Sequence, residues 1–200
     1  MFYKNEFNKL WFASSNEHKY GELAAILNEA APEIELKLPK DAKICFDAEE
    51  NGADFAQNAL IKARALNKIV HEPVIADDSG LCVDALGGAP GIFSARYGMQ
   101  NGKKLDSTER NALLLAQIGD NLPRSARFVC AMVLLFNKEK FILVQETLEG
   151  EIVYEPKGGG GFGYDPLLLI PELGRTVAEL NAVEKNRLSH RAKAARRLFS

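Results

Sequence analysis

Val74-Ile75-Ala76-Asp77-Asp78-Ser79-Gly80 is an apolar run that stops at two adjacent carboxylates. A short apolar run bounded by Ser and Gly reads as a buried strand. Ending there, the strand delivers two acidic side chains to the mouth of a sheet, one to each face, because successive strand residues point to opposite sides. Adjacent like charges repel unless a cation or a proton holds them. Hard oxygen ligands suit Mg²⁺, which takes one or two carboxylates and completes its shell with water and substrate phosphates. The stretch points to metal-assisted chemistry on a phosphate compound. Asp, Ser and Gly are also turn residues, so the surrounding chain must decide.

Upstream, Leu10-Trp11-Phe12-Ala13 is apolar and is closed by Ser14-Ser15-Asn16, residues that favour turns and helix caps. Helical spacing follows in Leu23, Ile26, Leu27 and Ala30 until Pro32 stops it. Strand then helix opens an α/β unit. A second amphipathic helix is predicted over 54–70, carrying Phe55, Ala59, Ile61, Ala63, Leu66 and Ile69, with Asp54 as its cap. It leads into the strand at Val74.

Downstream, Leu86–Gly91 holds three glycines and a proline in six residues and is a loop. Asp106-Ser107-Thr108-Glu109 offers caps for a third helix running to about Ile118. Two strand-like runs, Ala126–Phe136 and Phe141–Thr147, flank a hairpin turn at Asn137-Lys138-Glu139-Lys140. The change from helix–strand alternation to hairpins predicts a mixed sheet.

At 200 residues the chain makes one large domain or two lobes sharing a core. Hydrophobic residues at 46% and charged residues at 26% are ordinary for a globular protein, and a net charge of −2 argues against a general nucleic-acid binder. Cys45, Cys82 and Cys130 form no Cys-x-x-Cys pair; Cys82 and Cys130, among apolar neighbours, read as reduced core thiols, which fits a cytosolic protein. No apolar run reaches the 18 or so residues of a membrane span, and no apolar segment after Met1–Glu6 reads as a leader. The expectation is a soluble cytoplasmic protein. Trp11 reads as core, and His18 and His71 as solvent-facing helix-end residues.

In Lys157-Gly158-Gly159-Gly160-Gly161-Phe162-Gly163-Tyr164-Asp165-Pro166, Gly158, Gly160 and Gly163 satisfy G-x-G-x-x-G. A dinucleotide fingerprint needs a helix opening at the third glycine, whereas Pro166 leads into strand-like Leu167–Ile170. What remains is a pliable loop with one aromatic, Phe162, able to stack on a base. Near the C-terminus, Ser189 caps a helix that carries His190 and Arg191 in its first turn. Cations there oppose the helix dipole at a cost of roughly a few tenths of a kcal/mol, unless an anion sits among them.

Four separated segments now agree. Ala13-Ser14-Ser15-Asn16-Glu17-His18-Lys19, Ala76-Asp77-Asp78-Ser79-Gly80-Leu81, Gly161-Phe162-Gly163-Tyr164-Asp165-Pro166 and Ser189-His190-Arg191 resemble the inosine triphosphate pyrophosphatase (Ham1-like) family. Asn58-Ala59 with Lys62-Ala63, Gly87–Gly91 with Ser94–Tyr97, and Thr176 through Lys185 extend the match. The resemblance implies an α/β fold with an elongated, mixed, twisted sheet flanked by helices, a single domain over 1–200 with two lobes around a central cleft, and a homodimer. It implies Mg²⁺-dependent hydrolysis of ITP, dITP and XTP to the monophosphate and pyrophosphate, with neither nucleic acid nor membrane as partner. Ser14, Ser15, Asn16, Glu17, His18 and Lys19 resemble the first phosphate-binding loop, and Lys62 a second phosphate lysine. Glu50 and Asp78 resemble the Mg²⁺ pair, with Asp77 close by, and Asp78 also the group that activates the attacking water, with Ser79 following it. Phe162, Gly163, Tyr164, Asp165, Lys185, His190 and Arg191 resemble the base-binding end, where His190 and Arg191 donate to a 6-keto oxygen and adenine's amino group is refused.

The chain departs from the pattern at Gln57, where glutamate is usual before Asn58-Ala59, and at Ala192, where glycine is common. A pyrophosphatase of the Maf type and a silent nucleotide-binding protein are the competing readings. The Gly-Phe-Gly-Tyr-Asp loop and Ser-His-Arg turn weigh against the first, and the acids clustered with Lys19 and Lys62 against the second.

Overall fold

A computed structural model describes residues 7–99 and 102–199; Met1–Glu6, on which the leader reading falls, lie outside them. The chain opens with β1 (Lys9–Phe12), α1 (Glu17–Ala30) and β2 (Glu35–Lys37), followed by α2 (Phe55–Val70) and β3 (Val74–Val83). Next come α3 (Ser107–Ile118), β4 (Ser125–Leu135), β5 (Phe141–Ile152), β6 (Leu168–Ile170), β7 (Arg175–Thr176), α4 (Ala182–Leu188) and α5 (His190–Phe199). The strands form one seven-stranded sheet in the order β2-β1-β3-β4-β5-β6-β7. It is mixed, as the change of rhythm predicts. β1 pairs in parallel with β2 and β3, whereas β6 pairs antiparallel with β5 and β7.

The helices begin where the sequence places their caps. Asp54 accepts the Gln57 N–H at the head of α2, and Asp106 forms a reciprocal capping box with Glu109 at the head of α3. Leu23, Ile26 and Leu27 are the buried stripe of α1. By contrast, α4 has no apolar period and goes unread in the sequence.

Over its described residues the chain divides into two compact units: Met1–Asp78 with Cys130–Glu146 and Ser189–Ser200, and Ser79–Val129 with Thr147–Leu188. The first packs Leu10, Phe12, Leu23, Ile26, Ile75, Met132 and Leu198 in its core, with Cys130 among them. The second packs Leu81, Val83, Leu114, Ile118, Phe128, Leu148 and Leu168. Trp11 is buried as read, and its indole N–H donates to Glu72. Cys82 is only half buried, so it is less of a core thiol than its neighbours imply.

One expectation is corrected. The third strand does not end at Asp77-Asp78 but continues through both to Val83. Its partner β1 stops instead: Phe12 is level with Ile75, and Ala13 N–H closes the ladder on the Ile75 carbonyl at 2.8 Å. The carboxylates therefore lie just past the C-terminal end of a parallel neighbour, the place where open α/β sheets carry their sites.

Candidate active site

Because strand side chains alternate, Asp77 and Asp78 meet different helices. Asp77 faces α1 and α5. The loop after β1 turns into α1 through its own side chains: Ser14 Oγ accepts the Asn16 N–H, and Asn16 Oδ1 accepts the Lys19 N–H, both at 3.1 Å. The turn thus uses the N–H groups of Asn16 and Lys19. That cap fixes the first turn of α1, from which Lys19 Nζ reaches Asp77 Oδ2 at 3.0 Å.

Arg191 arrives on the same carboxylate oxygen from α5, through Nε at 3.1 Å and a terminal N–H at 3.0 Å, while its other terminal N–H donates to Glu22. Ser189 Oγ caps α5 by accepting the Ala192 N–H at 3.1 Å. The anion that a basic helix start requires is therefore the chain's own Asp77. Burial works to raise the Asp77 carboxyl, but the charges of Lys19, Arg191 and Lys62 overcome it and hold Asp77 far below the usual carboxylate range. Arg191 is 1% exposed, and its acidic neighbours keep it charged there.

Asp78 faces α2. Lys62 Nζ lies 2.8 Å from Asp78 Oδ1 and 3.4 Å from Glu50 Oε1, so one ammonium bridges two carboxylates. Asn58 Nδ2 donates to the other Asp78 oxygen at 3.2 Å, and Asn58 Oδ1 accepts the Gly52 N–H at 2.8 Å. Burial would lower the Lys62 ammonium, yet Asp78, Asp77 and Glu50 raise it above its ordinary value. Gln57, the departure from the family pattern, serves the helix start: its Oε1 accepts the Ala53 N–H at 3.1 Å. No group of three His, Cys, Asp or Glu with metal-holding geometry occurs among the described residues. The donor set is instead two carboxylates, Asp78 buried and Glu50 partly open, already gathered by a cation. That chemistry fits a hydrated Mg²⁺ rather than a metal needing a full cage of protein ligands.

The second unit holds a separate cluster. Asp165 Oδ2 accepts the Phe162 N–H at 2.7 Å and pairs with Lys185 Nζ at 2.6 Å. Lys185 in turn lies 4.6 Å from the centroid of the Phe162 ring, a cation–π contact that steadies a half-buried aromatic. Gly161 has a φ of +69°, and a Cβ there would stand 2.0 Å from Asp165 Oδ2. Any larger residue there strains the backbone and must displace the Asp165 carboxylate. Asn111 Nδ2 donates to the Gly163 carbonyl at 3.1 Å, and Tyr164 Oη donates to the Ser94 carbonyl at 3.1 Å. No helix opens at Gly163, as the rejection of the dinucleotide fingerprint requires.

Residues 10–200 match the model of the Ham1 family. The chain belongs to the Ham1 family. A dITP/XTP pyrophosphatase of Treponema denticola is 48% identical over 192 residues, covering 96% of this chain and 95% of that protein. A dITP/XTP pyrophosphatase of Gloeobacter violaceus is 44% identical over 191 residues, covering 96% and 92%. Among solved structures, a HAM1 protein from Coxiella burnetii superposes with a TM-score of 0.86 at 39% identity, covering 96% of each chain.

In this Ham1-family chain the predicted residues divide between the two units. Ser14, Asn16, Lys19, Glu50, Lys62, Asp77, Asp78, His190 and Arg191 belong to the first unit, and Ser79, Phe162, Gly163, Tyr164, Asp165 and Lys185 to the second. Ser15, Glu17 and His18 are exposed at the start of α1, where Glu17 pairs with Lys40 at 2.5 Å. Sequence reasoning missed Glu22 and gave Asn58 no role. Spacing carries the signal for both: Glu22 lies three residues after Lys19, and Asn58 four before Lys62, each on the same helix face as the lysine.

Proposed function

We propose that this chain hydrolyses non-standard purine nucleoside triphosphates, ITP, dITP and XTP, to the monophosphate and pyrophosphate, and so cleanses the nucleotide pool. The observation that carries the reading is the bridge from Lys62 to Asp78 and Glu50, in a chain 48% identical to a dITP/XTP pyrophosphatase. A phosphate anhydride needs charge neutralised and water positioned more than it needs covalent chemistry. In this reading Lys19 and Lys62 neutralise the triphosphate, and Asp78 accepts the proton of the attacking water. Glu50 and Asp78 hold Mg²⁺, which when bound polarises the phosphoryl oxygens. Asp77 keeps Lys19 and Arg191 in place rather than serving as a full ligand.

Phe162 stacks on the purine, steadied by Lys185. His190 selects a 6-keto oxygen, and Arg191, bound to Asp77 and Glu22, fixes the head of α5 that presents it; adenine's amino donor meets a donor there, and unpaired buried polar groups discriminate strongly. Three free thiols fit the reducing cytoplasm, and the dimer that the resemblance implies is checked by light scattering. No helix among the described residues is long and apolar enough to cross a membrane.

The test is an incubation with Mg²⁺ and ITP, XTP or ATP, followed by identification of the phosphorus product. Pyrophosphate and monophosphate from ITP and XTP, with ATP nearly untouched, is the expected result. Release of orthophosphate, or equal use of ATP, overturns the reading.

A further inference from the structure

We propose that Asn58 is a positioning residue that sets the separation of Glu50 and Asp78, and with it the spacing at which they receive a divalent cation. The inference rests on the reading of these carboxylates as the metal pair. Asn58 is 0% exposed and lies on α2, one turn before Lys62. A carboxamide has two unlike ends: its nitrogen only donates and its oxygen only accepts. Here Oδ1 takes the Gly52 N–H at 2.8 Å, two residues beyond Glu50, and Nδ2 donates to Asp78 Oδ2 at 3.2 Å. One rigid planar group therefore ties the Glu50 segment to β3. Turning the amide over would set its NH₂ against the Gly52 N–H and its oxygen against a carboxylate, so the network admits a single orientation.

The Gly52 side of the tie is equally constrained. A Cβ on Gly52 would lie 2.8 Å from Asn58 Oδ1 and 2.9 Å from the Asn58 backbone nitrogen, so the segment sits at an approach only glycine allows. Lys62 completes the frame, occupying the Asp78 oxygen that Asn58 leaves and reaching Glu50. Alanine at 58 removes both bonds. Aspartate keeps the acceptor for Gly52 but loses the donor and sets a second negative charge beside Asp78. Mg²⁺ demands near-ideal octahedral geometry, so a change in carboxylate separation weakens the cation more than the nucleotide.

The experiment uses the full chain and the parent together with Asn58→Ala, Asn58→Asp and Gly52→Ala. Binding of Mn²⁺ alone is read by the electron paramagnetic resonance signal of free Mn²⁺, alongside thermal unfolding and dITP kinetics at varied metal. The expected result is Mn²⁺ affinity about 10–100-fold weaker in Asn58→Ala. The metal concentration for half-maximal turnover should rise in the same ratio, while KM for dITP at saturating metal moves less than about threefold. Gly52→Ala should reproduce the pattern from the other side of the contact.

Mn²⁺ affinity unchanged in folded Asn58→Ala and Gly52→Ala overturns the inference, as does a parent that binds no Mn²⁺. Equal loss of Mn²⁺ and dITP binding with a broadened melt makes Asn58 structural only and overturns it too. A parent that binds Mn²⁺ but leaves dITP intact, with Mn²⁺ still lost in the variants, removes the proposed function and keeps the spacer.

Discussion

Arg191 directs two N–H donors at one oxygen of Asp77, at 3.1 and 3.0 Å, across 114 residues of sequence. With Lys19 on the same oxygen and Glu22 on the far end of Arg191, two cations and two anions balance inside the first unit. The set ties β3 to α1 and α5 with no excess charge. A buried charge left without its partner costs far more than the pair contributes, so the group holds or fails together.

Asp77→Asn should therefore cost about 3–5 kcal/mol of unfolding free energy, read by urea denaturation. It leaves buried Arg191 and half-buried Lys19 with Glu22 as the one remaining anion of the set. The double variant Asp77→Asn with Arg191→Met should recover part of that loss. A single variant as stable as the parent would show that the network contributes nothing.

The same groups set the pH response. Asp77 is depressed below its ordinary value of 3.8, so its contribution is present above that value and is lost as pH falls below it. Lys62 is raised above its ordinary 10.5, so its contribution is present below that value and is lost as pH rises through the higher folded one. Between those limits the two groups leave stability flat. Urea midpoints measured against pH should show an acid limb beginning near pH 4 that is shallower in Asp77→Asn. An equally steep limb in the variant would assign acid unfolding to other carboxylates.

These effects explain what could be read in advance. The α1 stripe of Leu23, Ile26 and Leu27, the Asp54 and Asp106 caps and the two-faced Asp77-Asp78 pair follow from local periodicity and cap chemistry. The continuation of β3 through both acids does not. Two carboxylates end a strand unless cations meet them, and those cations sit at positions 19, 62 and 191. Asn58 reads as an ordinary helix residue until Gly52 and Asp78 close on it. α4 buries no apolar stripe, since its Val183 and Leu188 are exposed; Arg175 and Asn181 contacts to Glu184 hold it instead.

Asp78→Asn is close in shape and removes the carboxylate proposed as the proton acceptor, together with the charge that pairs with Lys62. Turnover of dITP should fall about 10²–10⁴-fold, with nucleotide binding, measured by calorimetry, retained within a few-fold. Full activity in this variant would place the base elsewhere.

Gly161→Ala tests the second cluster alone. The new methyl would stand 2.0 Å from Asp165 Oδ2 on a backbone at φ +69°, so the Asp165 carboxylate must withdraw. Withdrawal releases both of its partners, the Phe162 N–H at 2.7 Å and Lys185 at 2.6 Å, and Lys185 then no longer steadies the ring 4.6 Å away. A mobile Phe162 stacks poorly on any purine, and stacking on an aromatic is worth about 1–3 kcal/mol per base. KM for dITP and XTP should rise about tenfold or more, consistent with losing roughly 1.4 kcal/mol of that contact. Mn²⁺ affinity should stay at the parental value, because Glu50, Asp78 and Lys62 belong to the other unit. KM unchanged in a folded Gly161→Ala would remove Phe162 and its support from the base-binding role.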